Sequence, residues 1–313
     1  MSADATPPTP APANEWTIRK VLEWTTAHLK KHGSDTPRLD AEILLAQARG
    51  CQRIQLYTAY DQPLTDAVRA TMRELVQRRA GAEPVAYLVG HREFFSLDFK
   101  VTRDVLIPRP DTETLVIELT EEIKQLSAVR QEAGNTAPIR VLDLCTGSGC
   151  IAIAAAKQCH NQKLNVKFTA TDISPAALAI ATENAQKHGV EELIEFYQGD
   201  LLEALPADSQ FEILASNPPY IPSAEIDTLD PEVAKHEPRL ALDGGPTGFS
   251  VIDRLVTSAP DFAAPDALFL MELSPEQADT ACQRLVTAAR YNDITVRKDL
   301  AGRPRVLRAR FEP

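Results

Sequence analysis

The sequence from residue 111 onward predicts an α/β fold with a doubly wound, mostly parallel sheet of seven strands. Short apolar segments alternate with segments of helical periodicity, which is typical of repeated strand–helix–strand units. One strand runs directly into a glycine-rich turn and a helix at residues 141–152. Such sheets bind ligands at the carboxyl ends of their strands, so a site is expected there. The predicted strands are 140–144, 167–172, 194–198, 211–216, 267–273, 293–298 and 305–310.

The residues before this region predict a separate helical bundle at 15–88. Thr17 is the expected N-cap of the first amphipathic helix, a second helix stops near Gly50, and a third begins at Leu64-Thr65. Three or four helices are expected in all. Residues 1–14 contain four prolines and no apolar periodicity, which predicts a disordered tail.

Residues 89–110 are expected to link the two regions as a β-hairpin. Aromatic and branched residues from Phe94 to Leu106 predict two short strands around a turn at Thr102-Arg103-Asp104.

Within the α/β region, Ser174 is the expected N-cap of a helix and Pro175 its expected first residue. The other expected segments are a helix at 111–127, a polar loop at 128–137, helices at 150–158 and 175–188, and an α/β domain at 111–313.

The composition narrows the class of function. Hydrophobic residues are 44% and charged residues 25% of the 313 residues, as in ordinary globular proteins. The sequence shows neither a secretory signal nor an apolar run of membrane-spanning length, so a cytoplasmic location is expected. Five cysteines and six histidines lack metal-ligand spacing, so no metal is expected. The net charge of −11 argues against bare nucleic acid as the substrate.

The segment Val141–Ala152 predicts a cofactor turn at the end of the first strand of the sheet. Gly147, Gly149 and Ala152, with Asp172 further on, also satisfy the dinucleotide fingerprint, so an NAD-dependent enzyme competes on this motif. Asp143 favours S-adenosylmethionine, because a carboxylate there suits an ammonium group and repels a pyrophosphate. The alternative that Asp143 only stabilises the turn stays open.

Two further carboxylates follow the next two strands. Asp172 can accept hydrogen bonds from both ribose hydroxyls of a nucleoside. Asp200 can accept from an adenine amino group, and Leu201 can lie against the adenine ring. The three strand ends together therefore predict a nucleoside-containing cofactor.

Asn217-Pro218-Pro219-Tyr220 follows the fourth strand and predicts methylation of a planar nitrogen. The two prolines restrict the backbone. The Asn217 side-chain oxygen and the Pro218 carbonyl can accept both N–H bonds of an NH2 group, which aims its lone pair at a methyl donor. Tyr220 is expected to offer a face to the flat substrate group. Positioning and preorganised dipoles would then supply most of the catalysis.

With these motifs, residues 16–310 resemble the peptide chain release factor glutamine methyltransferases, the HemK/PrmC family. The resemblance extends beyond the cofactor turn and the reactive loop to four segments: Glu83–Phe95, Leu106–Glu113, His236–Gly245 and Asp299–Arg305. The sequence departs from the family pattern at Cys145, where many members have glycine, and at Glu272-Leu-Ser274.

The resemblance implies a class I methyltransferase fold and N5-methylation of the glutamine in the Gly-Gly-Gln motif of translation release factors. It implies that residues 15–88 recognise the substrate, that the enzyme is monomeric and that it uses no metal. Arg109 is expected to shape the cofactor pocket or to contact the substrate protein, with a surface salt bridge as the alternative. The residues it assigns to the cofactor are Cys145, Thr146, Gly147, Ser148, Gly149, Asp172, Leu201 and Asn217, and those it assigns to the glutamine are Asn217, Pro218, Pro219 and Tyr220.

Two related activities remain as alternatives. A glutamine methyltransferase of a ribosomal protein typically has Pro-Arg-Ser where this chain has Pro-Arg-Pro-Asp-Thr-Glu, residues 108–113. A DNA or RNA amino-methyltransferase uses the same reactive tetrapeptide, but it needs phosphate contacts and access to a base.

Overall fold

The computed structural model describes residues 15–312 and divides them into two units, the first ending at Val89 and the second beginning at Gly90. The proline-rich tail predicted at 1–14 lies outside the described residues. In residues 15–312, no helix has the length and apolar character needed to cross a membrane.

The first unit is helical, as its sequence predicts. Its five helices are α1 (Ile18–Lys31), α2 (Pro37–Arg49), α3 (Arg53–Tyr57), α4 (Asp66–Ala80) and α5 (Val85–Val89). The Thr17 and Thr65 hydroxyls accept from backbone N–H groups of α1 and α4, so both are N-caps. Gly50 ends α2 in the left-handed conformation. A core that includes Leu22, Leu44 and other aliphatic side chains joins the helices.

The second unit opens with a hairpin whose turn differs from the prediction. Strands β1 (His91–Phe94) and β2 (Leu97–Lys100) pair antiparallel, and Phe95 and Ser96 form the turn with φ of 51° and 59°. Two positive φ values are characteristic of a type I′ turn, which usually contains Asn or Gly. The predicted position of the hairpin turn at 102–104 is therefore wrong, because Phe-Ser carries no such sequence signal. Residues 102–105 form a separate turn after the hairpin, in which Val105 N–H donates to the Thr102 carbonyl at 3.2 Å. Residues after β2 continue as irregular backbone.

The rest of the second unit is a seven-stranded sheet with helices, in agreement with the predicted fold class. The strands are β3 (Ile139–Leu144), β4 (Val166–Asp172), β5 (Ile194–Gln198), β6 (Phe211–Ser216), β7 (Ala263–Glu272), β8 (Tyr291–Lys298) and β9 (Pro304–Phe311). The helices are α6 (Glu113–Glu132), α7 (Cys150–Asn161), α8 (Pro175–His188), α9 (Pro231–His236), α10 (Ser250–Ser258) and α11 (Ala278–Ala288). All seven predicted strands are confirmed.

Helix α6 is longer than the predicted 111–127 and includes residues 128–132 of the predicted loop. Its last turns contain good helix formers, so the helical pattern continues although the residues are polar. Arg130 donates to the carbonyls of Ala137 and Pro138 and to Glu212, which attaches this end of the helix to the sheet.

The strand order β5-β4-β3-β6-β7-β9-β8 is parallel except where β9 pairs with β7 and β8. The order in which strands are added to the sheet reverses at β3, which has β4 on one side and β6 on the other. Leu144 of β3 is level with Ser216 of β6, and Ser216 is level with Met271 of β7. The cofactor turn, the reactive loop and the end of β7 therefore leave the sheet side by side.

Candidate active site

A cavity of about 370 Å³ lies at the carboxyl edge of the sheet. Most of its wall comes from residues within 103–112, from the turn after β3 and from the end of β4. The segments that follow β5 and β6, residues within 238–243 and helix α10 complete it. The sequence-predicted residues that line it are Arg109, Cys145, Thr146, Gly147, Ser148, Asp172, Asp200, Leu201, Asn217 and Pro219. The sheet thus brings most of the predicted site to one cavity.

Four predicted residues are not part of the cavity wall: Asp143, Gly149, Pro218 and Tyr220. Gly149 precedes α7, and a Cβ there would lie 2.6 Å from the Ile153 side chain, so the position needs glycine for packing. Pro218 is buried, and Tyr220 packs partly buried against the core cluster under the loop. The predicted contact roles of these residues remain predictions.

The cofactor turn has an irregular backbone that the small residues permit. Cys145 has φ of 61° and Gly147 has φ of 56°, both in the left-handed region. Thr146 N–H donates to the Thr171 carbonyl at 3.0 Å, which joins the turn to β4. A non-glycine residue in this conformation is strained by about 1–2 kcal/mol, so Cys145 is the position of the turn with backbone strain.

Asp143 is fully buried at the base of the turn. Its Oδ2 accepts from the Thr146 hydroxyl at 2.6 Å and from the Ala152 N–H at 3.3 Å. Its Oδ1 has no hydrogen-bond partner among the described residues. Burial raises the pKa of Asp143 to about 7, although both hydrogen bonds oppose the shift. Asp143 therefore stabilises the turn and retains one unused acceptor.

Asp172 connects the end of β4 to the cofactor turn. Its Oδ2 accepts from Gly147 N–H at 2.8 Å, and its Oδ1 accepts from Ser174 N–H at 2.9 Å. Burial raises its pKa, and the backbone hydrogen bonds lower it in part. The Ser174 hydroxyl caps α8 by accepting from Ala177 N–H at 3.1 Å, as predicted. A carboxylate with two oxygens can accept further hydrogen bonds, so these contacts leave capacity for a ligand in the cavity.

Asp200 and Leu201 follow β5 and differ in exposure. Asp200 pairs with Arg254 of α10 at 3.0 Å, and both side chains are substantially exposed. Leu201 is 8% exposed and has φ of 54°, so its backbone is held in the left-handed region. Leu201 provides apolar wall and Asp200 provides an acceptor at the same end of the cavity.

Hydrogen bonds with later parts of the chain hold the reactive loop Asn217–Tyr220 in place. Gln277 donates to the Tyr220 carbonyl at 2.9 Å, and Ile221 exchanges backbone hydrogen bonds with Leu242 and Gly244. A Cβ on Gly244 would lie 2.8 Å from Tyr220 Cα, so only glycine allows this approach. The loop therefore has little freedom to move away from the cavity.

A second segment, residues 107–112, is attached to this side of the sheet by ion pairs. Glu237 accepts from the Ile107 N–H at 3.3 Å and pairs with the Arg109 guanidinium. Asp111 pairs with Arg305 of β9 at 2.8 Å. These contacts join the Pro108–Asp111 segment to Glu237 and to β9. They also show that Arg109 has a buried acidic partner while lining the cavity.

Two residues in this site were missed as functional candidates. Thr112 lines the cavity and is 2% exposed, and its hydroxyl accepts from Asn217 Nδ2 at 3.4 Å. Glu272, the last residue of β7, is 1% exposed and accepts from the Tyr220 hydroxyl at 3.4 Å. A usable signal existed for Glu272, because it is a polar residue near the end of an apolar strand, the same pattern that identified Asp143 and Asp172.

The donor and acceptor set fits S-adenosylmethionine. The methionine ammonium and the sulfonium are cationic, and the carboxylates of Asp172 and Asp200 line the cavity. Asp143 Oδ1, which is unpaired within residues 15–312, is buried behind the turn and does not line the cavity. The carboxylates of Asp172 and Asp200 disfavour the pyrophosphate of a dinucleotide. Among the described residues, no group of His, Cys, Asp and Glu could bind a metal ion.

The fold and the site define the class of protein. Residues 126–240 match the family model described as the methyltransferase small domain. The hMettl16 catalytic domain, in a crystal structure with an RNA hairpin, superposes with a TM-score of 0.50 at 14% identity, covering 76% of this chain and 80% of that one, which supports the fold alone. The protein is an S-adenosylmethionine-dependent methyltransferase.

Similarity over the whole chain narrows this class. Residues 20–90 match the PrmC N-terminal domain. The release factor glutamine methyltransferase of Rhodopirellula baltica is 43% identical over 93% of this chain and 95% of its own length. That of Geobacter sulfurreducens is 40% identical over 95% of this chain and 97% of its own. The chain belongs to the release factor glutamine methyltransferase family.

Proposed function

We propose that the protein transfers the methyl group of S-adenosylmethionine to N5 of the glutamine in the Gly-Gly-Gln motif of translation release factors. The observation that carries the proposal is the Asn217–Tyr220 loop at the end of β6, beside the cofactor turn of β3. Family membership directs the choice of a protein glutamine over other planar nitrogens. A cytoplasmic location follows from this substrate.

The residues of the loop carry out the positioning step. The cofactor supplies an electrophilic methyl group on a sulfonium. Asn217 Nδ2 donates to Thr112, which leaves Asn217 Oδ1 to accept one N–H of the substrate amide. The Pro218 carbonyl accepts the other N–H, so the nitrogen lone pair is oriented and developing positive charge is stabilised. The new C–N bond would form as the methyl–sulfur bond breaks, S-adenosylhomocysteine would leave, and the nitrogen would lose one proton to solvent.

The contacts of Tyr220 favour a supporting role over the substrate contact that the sequence predicts. Its hydroxyl donates to Glu272, and its ring packs partly buried against the core under the loop. Pro219, rather than Tyr220, lines the cavity. We propose that Tyr220 supports the loop from below and that Pro219 provides the apolar surface that the substrate amide meets.

The helical unit at 15–88 is proposed to bind the substrate protein. Its exposed apolar side chains include Trp24, Ile54 and Tyr57. Aromatic and aliphatic side chains exposed in this way are typical of protein-binding surfaces. With a net charge of −11, the protein is proposed to act on protein rather than on bare nucleic acid, and as a monomer.

The direct test incubates the purified protein with S-adenosylmethionine carrying an isotopically labelled methyl group. A release factor, the same factor with Gln of Gly-Gly-Gln replaced by Ala, a ribosomal protein fraction and duplex and single-stranded DNA are offered separately. Label is expected in the intact release factor alone. Label in nucleic acid or in the ribosomal proteins, with none in the release factor, contradicts the proposal.

A further inference from the structure

Glu272 is a buried acid that the positioning chemistry above does not use. It ends β7 beside Asn217, the residue that follows β6, because Ser216 and Met271 are paired across the two parallel strands. Its Oε1 accepts from the Tyr220 hydroxyl, and its Oε2 has no hydrogen-bond partner among residues 15–312. Burying a carboxyl with one oxygen unpaired costs free energy.

Thr112 connects Glu272 to Asn217. Burial raises the pKa of Glu272, and the neighbouring Thr112 hydroxyl, which is in position to donate to an ionised carboxylate, is the foremost group that lowers it. The same hydroxyl accepts from Asn217 Nδ2 at 3.4 Å. Thr112 is kept in place by the neighbouring Asp111–Arg305 ion pair of 2.8 Å and by its own N–H bond to the Arg109 carbonyl at 3.1 Å.

The direction of these hydrogen bonds depends on the carboxyl group. A threonine hydroxyl has one proton to donate and two lone pairs, whereas an ionised carboxylate can only accept. Thr112 therefore donates to ionised Glu272 and has only lone pairs left for Asn217. Those lone pairs accept from the NH2 end of the Asn217 amide, and the oxygen end is directed to the substrate.

We propose that Glu272 is a positioning residue that, through the Thr112 hydroxyl, fixes which end of the Asn217 side-chain amide faces the substrate. A neutral carboxyl can donate to Thr112, which then donates to Asn217 Oδ1. The amide in that state turns its NH2 end to the substrate and repels the N–H groups it should accept. This role rests on the proposed function of the same loop.

The groups around Glu272 determine the pH at which these hydrogen bonds change direction, and that pH is near neutral. Burial raises the pKa of Glu272 to about 7, and nearby Asp111 adds to the increase. Arg305, Thr112 and Tyr220 lower it. Cys150 of α7 also lies within electrostatic range of Glu272, and burial raises its own pKa to about 12, so it stays neutral. Ionised Glu272 thus gains population as pH rises from 6 to 8.

The first test follows Asn217 directly, without cofactor or substrate. The protein is labelled with ¹⁵N-asparagine, and the Asn217 side-chain NH2 signals are assigned by their loss in Asn217→Ala. In wild type these signals are expected to shift with a midpoint near pH 7. The shift should vanish in Glu272→Gln and Thr112→Val and persist in Thr112→Ser. An unchanged midpoint in Glu272→Gln overturns the proposal.

The second test measures methyl transfer to a release factor with the same variants. Loss of one hydrogen bond of about 1 kcal/mol predicts that kcat falls about fivefold in Glu272→Gln and in Thr112→Val, with KM for S-adenosylmethionine unchanged. The rise of wild-type kcat from pH 6 to 8 should be lost in both, and Thr112→Ser should restore it. Equal activity of Thr112→Val and wild type, with the same pH profile, contradicts the proposal.

Matched controls separate positioning from stability. Thr120→Val removes a buried hydroxyl of α6, which donates to the Val116 carbonyl at 2.9 Å, and should leave kcat and the pH profile unchanged. Glu276→Gln makes the same substitution at an exposed glutamate after β7. If wild type methylates no release factor, the proposed function fails, whereas the Asn217 signals still decide the role of Glu272.

Discussion

Asp143 and Glu272 are two buried carboxyls on either side of strand β6, and they differ in what they connect. Each has a pKa raised to about 7 by burial and one oxygen without a partner in residues 15–312. Asp143 bonds only to Thr146 and Ala152 of its own turn. Glu272 interacts with Tyr220 and Thr112, which come from two distant segments.

This difference shows that a buried carboxyl group can have two structural roles. A carboxyl bonded within its own turn determines the shape of that turn, here the cofactor turn. A carboxyl that bridges separate segments determines their relative orientation, here the amide that receives the substrate. We therefore expect substitutions around Asp143 to change cofactor binding and stability, and substitutions around Glu272 to change turnover.

The largest effect is expected on the Glu272 side, for Asn217→Ala. Removing a preorganised acceptor should lower kcat about 10²-fold, while the Kd for S-adenosylmethionine changes much less. Single-turnover methyl transfer and calorimetry measure the two quantities. Turnover close to wild type would show that the amide acceptor is elsewhere.

On the Asp143 side, Asp143→Asn should change the pH dependence of folding. The folded pKa of about 7 exceeds the ordinary value of 3.8, so the folded state binds more protons between these values and wild-type stability falls as pH rises through them. From pH 5 to 7 this amounts to about 2 kcal/mol. Urea unfolding should show a smaller decrease in Asp143→Asn, and an identical slope in both proteins would contradict a buried, neutral Asp143.

A smaller effect is expected for Asp172→Ala, which removes the acceptor of the Gly147 and Ser174 N–H groups. Loss of hydrogen bonds to a charged group should weaken S-adenosylmethionine binding by about tenfold. Calorimetry with the cofactor and with S-adenosylhomocysteine measures this, and Asp104→Ala, an exposed aspartate of the same cavity rim, is the control. An unchanged Kd would remove Asp172 from the cofactor site.

The smallest effect is expected for Arg254→Ala, which breaks the ion pair with Asp200. Exposed ion pairs contribute about 1 kcal/mol or less, so the Kd for the cofactor should change less than about fivefold. Measurement at low and high salt should show the difference shrinking with salt. A large effect that persists in high salt would mean that Arg254 itself contacts the ligand.

The sequence predicted the features that depend on local pattern. The alternation of apolar strands and helices indicated all seven strands of the sheet, and the polar residues after them indicated Asp172 and Asn217 as neighbours in one cavity. The hairpin turn at Phe95-Ser96 was not predictable, because its left-handed residues carry no glycine or asparagine. The continuation of α6 past 127 was missed because its residues are polar.

The contacts of Thr112 and Glu272 could not be read from the sequence for a different reason. Thr112 contacts Asn217, 105 residues further along the chain, and the neighbouring Asp111 pairs with Arg305 across almost the whole second unit. The spacing of residues in the sequence does not indicate such a contact. Tyr220 was assigned to the substrate face from its residue type, whereas its hydroxyl donates to Glu272.

The central claim is that this loop methylates the glutamine of a release factor. The most direct measurement is mass spectrometry of a release factor purified from cells that lack the protein, and from the same cells supplied with wild type or with Asn217→Ala. We expect the Gly-Gly-Gln glutamine to be unmethylated without the protein, methylated with wild type and largely unmethylated with Asn217→Ala. Full methylation in cells that lack the protein would contradict the account.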